Sequence, residues 1–515
     1  MLLRRTAIAA GAAAAIMRQA RAAGRSLDLV LESEAVILDP YATTAAITRT
    51  FGHHVFDTLF ATAGDGTIHP QMVNRWQVAA DGREWRFELR DGLRWHDGAA
   101  VTAADCVASL RRWMPKDPLG RMLAAATETL TALDARVFAI RLNHPFPLML
   151  DVLGKPNAVA PFMLPERLAL TPGDKRITEI VGSGPFRFRP DLWRPGDRMV
   201  LERHAQYVPR DEPPSFLAGG KVVHVDALVL RVIPDDATAA NALAAGEVDY
   251  VQYVSFDQID RLQANRGVAV MSLGGVDMFQ GNFRLNHASG PFTDPAVRRV
   301  LWRLVDQAEI MQAVGIPKAF AAPPCPSFWM CGAPLETDAG AVGGYSIEAA
   351  RAELQRTSYD GAPVVMLETS GSISETACRV LAQAMKQAGF TVDEQPMDWG
   401  TVLARRAKKD GWSLFGVYSN GVDMISPLTH FYVASSCADY PGWSCDARMP
   451  PLLGRFAQAE TLDQRRALAG EIQVVSYDLT PSVMWGQFSR PAAYRTRLRG
   501  LAQSSFPIFW GVEVS

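Results

Sequence analysis

DGREWRFELRDGLRWHDGAAVTAADCVASLRRW, residues 81–113, is the stretch whose reading decides the fold. Asp81-Gly82 signals a turn. From Glu84 to Arg90, apolar Trp85, Phe87 and Leu89 alternate with charged Glu84, Arg86, Glu88 and Arg90, the period of a half-buried strand. Asp91-Gly92 and Asp97-Gly98 are further turns around the short run Leu93-Arg94-Trp95. Thr102 then stands three residues before Asp105, a capping-box-like start, and Cys106, Leu110 and Trp113 recur on one face of the helix that follows. The block reads as an α+β unit.

Working outward, Leu27–Leu31 reads as a short strand ending at Glu32-Ser33-Glu34, and Asp39-Pro40 starts a turn toward a helix ending near Phe60. Helices are expected around 103–114 and 119–128, with an alternating strand over 136–142. Beyond Gly182–Pro185 come strands at 186–188 and 199–201, a β-rich run over 222–234, a helix over 236–245 and a strand over 248–252. One long amphipathic helix is expected over 294–313, with Val297, Leu301, Leu304 and Val305 on one face. Strand 364–367, helix 374–388, strand 390–395 and helix 399–409 alternate as in a parallel-sheet lobe. Two lobes are implied, one of them split by an insertion.

Composition is that of an ordinary globular chain, and 515 residues allow roughly three domains of about 150 residues. Lys+Arg 52 against Asp+Glu 54 leaves no basic field to attract nucleic acid or an anionic membrane. Arg4-Arg5 precede an Ala-rich apolar run from Ala7 to Met17, and Ala20-Arg21-Ala22 is an A-x-A pattern. Residues 1–23 therefore read as an export signal of twin-arginine or Sec type, which places the chain in the periplasm. Cysteine usage fits export: Cys325 and Cys331, and Cys437 and Cys445, can each close a short disulfide at the surface, whereas Cys106 and Cys378 read as small buried hydrophobes.

The opening block resembles the signature of the family 5 solute-binding proteins, the dipeptide-, oligopeptide- and nickel-type receptors of ABC importers. Their pattern runs roughly D-G-x-x-(F/Y)-x-F-x-L-R-x-G-(V/L)-x-(F/W)-H-D-G-x-x-(V/L)-(T/S)-A-x-D-V, and Cys106-Val107 replaces its usual apolar pair. Other landmarks follow in the family's order: Phe56–Phe60 resembles (Y/F)-(D/E)-x-L, and Val181–Phe186 resembles G-(T/S)-G-P-(Y/F). Leu201–Tyr207 resembles L-x-R-N-x-x-Y with His204 for Asn, Ala244–Asp249 resembles (A/L)-x-x-G-E-(I/V)-D, and Pro291–Arg298 resembles P-F-x-D-x-x-V-R. The resemblance runs from about residue 28 to the C-terminus. It implies an α/β fold, a type II periplasmic-binding-protein clamshell with an extra small α+β domain. Lobe I would be built from 25–60, 175–272 and 480–515, the extra domain from 61–174, and lobe II from 273–479, with hinge crossings near 272 and 480.

Catalysis finds little support in the residues. His53-His54 are adjacent, unlike the i, i+4 arrangement of H-E-x-x-H, and read as surface or pocket-edge histidines. Gly182-Ser183-Gly184 runs into Pro185 and lacks G-x-S-x-G, so it reads as a turn. No cofactor and no metal site are expected, and a secreted hydrolase would need a nucleophile and base that are not found. In peptide-binding members of the family an aspartate four residues before a proline, after a G-W strand, captures the peptide's amino terminus. Here Gly411-Trp412 leads through Tyr418 and Asn420 to Asp423 and Pro427, so the resemblance gives Asp423 that role; capping of the helix after Pro427 is the alternative. Trp399, Phe279, Gln280 and Trp485 fall where family members build cleft wall or hinge, with core packing as the other reading. Arg284 is the candidate for pairing a ligand carboxylate. The expected function is reversible trapping of a short peptide or similar polar solute by a monomer that delivers it to a membrane permease, with a nickel-chelate or haem receptor as the alternative.

Overall fold

Strand Glu84–Leu89 forms as its alternation requires: Phe87 and Leu89 are buried and Arg86 is exposed. Phe87 stacks on Phe138 at 5.1 Å between centroids. Thr102 Oγ1 accepts from the Asp105 N–H at 3.3 Å while Asp105 Oδ2 accepts from the Thr102 N–H at 2.8 Å, so helix Ala103–Trp113 starts with two of its otherwise orphaned donors satisfied. That helix covers a four-stranded antiparallel sheet ordered 73–78, 84–89, 137–142, 127–132. The computed structural model describes residues 25–515 apart from 435, 436, 438, 439 and 505. The expected export signal lies outside the described residues.

Two larger sheets carry the lobes. A seven-stranded sheet runs in the order 268–271, 492–495, 250–251, 26–30, 227–231, 198–203, 186–188. Its central strand Ser26–Val30 is parallel to both neighbours. A five-stranded sheet runs 392–397, 364–369, 414–420, 279–285, 482–488. Strand Val364–Thr369 pairs parallel with both neighbours, as the alternating β-α-β-α pattern requires, and Phe279–Leu285 pairs antiparallel with both of its own. The mixed α/β architecture is the expected one.

Two boundaries differ from expectation. Strand Ser482–Phe488 belongs to the five-stranded sheet, paired with Phe279–Leu285, so the chain returns to the first lobe across 489–491 and not near 480. The outgoing crossing lies between Met271 and Phe279. The two crossings touch, the Leu273 N–H donating to Ser489 Oγ at 3.1 Å. The long helix expected over 294–313 is broken: helix Pro295–Val300 tightens into a 3₁₀ turn at Leu301–Arg303, and a new helix, Gln307–Val314, starts from Asp306, whose carboxylate accepts from the Glu309 N–H at 3.1 Å. A capping aspartate inside an amphipathic run ends one helix and begins another. Disulfides Cys325–Cys331 and Cys437–Cys445 form, though Cys325 is buried and not at the surface, and Cys106 and Cys378 are free and buried.

Candidate functional site

The two lobes and the extra domain meet on Asp423. Strand Leu414–Asn420 ends in the 3₁₀ turn Gly421–Asp423. A Cβ at Gly421 would lie 2.5 Å from Val276 O and 2.6 Å from Met278 O, so only glycine lets the turn lie against the outgoing crossing. The turn thereby aims Asp423 at helix Ala46–Val55 of the first lobe. Arg49 Nη1 donates to both carboxylate oxygens, at 2.9 and 3.1 Å, and the Ala158 N–H of the extra domain donates to Oδ1 at 3.2 Å. Asn157 Nδ2 donates to Val422 O. Arg49 also lies 4.6 Å over the Phe506 ring. Val422 enters an apolar cluster of Leu217, Phe506, Ile508 and Trp510 from the first lobe and Ala61 from the extra domain. Side-chain exposures of 2% for Arg49 and 8% for Asp423 make this a buried ion pair between lobes. A cavity of about 730 Å³, bounded by Asp117, Lys155, Asn157, Leu428 and Phe431, reaches Asp423 from the extra-domain side, and its size suits a small organic guest.

A second group of polar side chains surrounds the return crossing. The Arg490 guanidinium lies 4.2 Å over Tyr253, and its Nη1 donates to Tyr418 Oη at 3.0 Å. Burial alone would lower Arg490, yet Tyr418, Tyr253, Asp236 and Glu32 hold its pKa above the ordinary value. Glu32 follows the central strand of the first lobe. Its backbone N–H donates to Gln252 Oε1 at 3.0 Å, and Gln252 Nε2 donates to Tyr253 Oη at 3.0 Å. Glu32 is exposed to water, yet desolvation raises its carboxyl pKa against the opposing pull of Arg49, Arg490 and the Ile47 N–H.

The residues singled out in the sequence separate into two sets. Tyr418 is half-buried beside Arg490, and Phe279 backs the two tyrosines with its ring edge-on, 5.6 Å from Tyr253 and 5.4 Å from Tyr418. Asn420 is buried opposite Phe279 in the strand register, three residues before Asp423. Trp399 opens helix Trp399–Arg406 after the sheet's far edge strand; it is 37% exposed, with Arg406 5.2 Å over its ring.

The other set lies inside the second lobe. Gln280 donates to Phe328 O at 3.0 Å and accepts from Asn282, while Trp485 donates to Val417 O at 3.1 Å and packs on Gly281. Arg284, expected to meet a ligand carboxylate, donates instead to Pro441 O, Pro481 O and Ser444 Oγ, its guanidinium 5.0 Å over Tyr432. Burial brings its pKa down to about 10. It staples the 441–444 loop to the sheet. His53 and His54, expected at the surface or a pocket edge, are buried in the first lobe: His53 stacks on Phe506 and His54 Nε2 accepts from the Phe509 N–H at 3.2 Å. Burial holds both histidines neutral, His54 at about 4. Sequence reasoning missed Glu32, Arg49, Tyr253 and Arg490. The available signals were an arginine on the side of helix Ala46–Val55 opposite Ile47 and Phe51, next to Gly52 and His53, and charged residues close behind apolar strands.

Residues 67–441 match the family described as bacterial extracellular solute-binding proteins, family 5 Middle. A probable peptide ABC transporter periplasmic-binding protein, y4tO, of Sinorhizobium fredii is 34% identical over 526 residues, covering 98% of this chain and 97% of its own. Among solved structures, AgaA from A. tumefaciens R10 in complex with agropinic acid superposes with a TM-score of 0.79 at 21% identity, covering 95% of this chain and 99% of its own. DppA from Helicobacter pylori in complex with the peptide STSA gives 0.80 at 19%, covering 95% and 98%. These structures share the type II periplasmic-binding-protein fold. Sequence match, fold and the two-lobed cleft agree that the chain belongs to the family 5 extracellular solute-binding proteins, binding components of ABC importers and not enzymes.

Proposed function

We propose that the protein captures a short peptide or similarly sized polar organic solute between its lobes and delivers it from the periplasm, as a monomer, to the membrane permease of its importer. The observation that carries this reading is the Arg49–Asp423 pair, with residues 157–158 joined to it, because it links all three bodies across a seam that has to part for a guest to enter. Among the described residues two chain crossings, at 272–278 and 489–491, join the large sheets, so the lobes can rotate about them as rigid bodies. The peptide named for y4tO and for DppA, and the agropinic acid named for AgaA, support a polar guest of this size. Residues 1–23 supply the export route.

A thermal-shift screen of the purified protein against peptides, opines, sugars and aromatic acids tests the reading, because a compound bound only by the native form raises its melting temperature. Small-angle scattering on any compound that raises it should show a smaller radius of gyration. A bound solute that leaves the scattering curve unchanged, or that emerges chemically altered, would refute capture by closure.

A further inference from the structure

Resting on the interlobe capture described above, we propose that Glu32 and Arg490 form a two-ended subsite for a compact zwitterion, an amino acid or amino-acid conjugate whose ammonium meets Glu32 and whose carboxylate meets Arg490. Both residues sit on one scaffold: Gln252 holds the Glu32 backbone and the Tyr253 hydroxyl, and the Tyr253 ring lies under the Arg490 guanidinium at 4.2 Å. Each charge lies within the field of the other although the two are far apart in the chain. Among the described residues neither makes an ion pair within 4.0 Å. The other charges whose fields reach them are Arg49, already bonded to both oxygens of Asp423, and Asp236, which is exposed in the first turn of helix Asp236–Ala245.

A charge partly stripped of water without a bonded counter-charge is costly, and the cost is relieved when a guest brings the missing partner. Arg490 commits Nη1 to Tyr418, and a guanidinium has five N–H donors, so a planar carboxylate can still be gripped at two points. Tyr253 and Tyr418, backed by Phe279, wall that end from water and strengthen the contact. At the other end Glu32 accepts and does not donate once ionised, which suits an ammonium or a protonated secondary amine. Asp423 is less suited to that task, because the Arg49 guanidinium already occupies the place a ligand ammonium would take.

The proposal is tested with the mature full chain by titrating dipeptides and N-carboxyalkyl amino acids, then the N-acetylated and the C-amidated form of whichever binds. Tryptophan fluorescence and scattering are the readouts. Unblocked zwitterions should bind and close the lobes, and either block should weaken binding at least tenfold. Glu32→Gln and Arg490→Gln should each remove the preference for the unblocked form at the end they serve, with circular dichroism unchanged. Arg490→Lys should keep part of the affinity. If blocked and unblocked forms bind alike, or if Glu32→Gln discriminates as wild type does, the subsite is wrong while capture stands. The same follows if only neutral sugars close the lobes. If no member of the charged or neutral panels binds, capture itself fails and the subsite with it.

Discussion

Cutting the Arg49–Asp423 bridge should open the protein without unfolding it. With the lobes shut, Asp423→Asn leaves the Arg49 guanidinium buried without its anion, and Arg49→Met leaves the carboxylate without its cation; either change costs about 3–5 kcal/mol in a buried site. Water reaches the survivor if the lobes part, so the closed state bears the cost and each lobe keeps its own core. At about 1.4 kcal/mol per factor of ten, each single substitution should move the closure equilibrium by about 100- to 4,000-fold toward open. Apparent affinity for the captured solute falls with the fraction of closure-competent protein. In the double variant no unpaired charge remains, so it should recover about 2–3 kcal/mol of the summed losses, which is the coupling that a double-mutant cycle measures. Calorimetric titration of the four proteins gives the coupling, and their scattering curves give the degree of opening. Additive losses, or single variants that scatter like wild type, would show that the pair holds nothing shut.

Three further outcomes follow from the packing. Burial first, then Glu394, raises the Glu368 carboxyl to about 7, and its Oε1 has no hydrogen-bond partner among the described residues. Because the native state holds this proton more tightly than the unfolded chain, the contribution is fully present below about pH 4.5 and is lost as pH rises through about 7. It is at most about 3 kcal/mol, and about 1–2 kcal/mol after discounting for the solvated Arg379 beside it. Glu368→Gln should flatten the stability profile between pH 5 and 8, and an unchanged slope in chemical denaturation would refute the assignment. At Gly281 a Cβ would sit 2.1 Å from the Trp485 ring, so Gly281→Ala should destabilise by about 1–3 kcal/mol, read as a lowered denaturation midpoint. Reducing Cys325–Cys331 and Cys437–Cys445, which bridge separations of 6 and 8, should cost about 2–3 kcal/mol each and lower the melting temperature; a melting curve indifferent to reductant would contradict both bridges.

What could be read in the chain and what could not divides by the range of the forces involved. The alternation at 84–90, the cap at Thr102 and Asp105 and the β-α-β-α run from 364 were legible because each is decided by neighbours within a few residues. Strand Ser482–Phe488 was legible as apolar but not as to its sheet: all seven residues are buried, so no alternation marks a solvent face, and the hinge was placed too early. Asp423 was reachable through its resemblance to the peptide-capturing aspartate. Its partner was not, since the contact joins residues 374 positions apart and a single arginine in a helix has no local signature of pairing. The same holds for Glu32 and Arg490, which come together only when the returning crossing lays Arg490 over Tyr253. A clamp of this kind is therefore written locally in its lobes and non-locally in its grip. Related chains can keep the lobes and change the guest by altering a few side chains that no periodicity constrains.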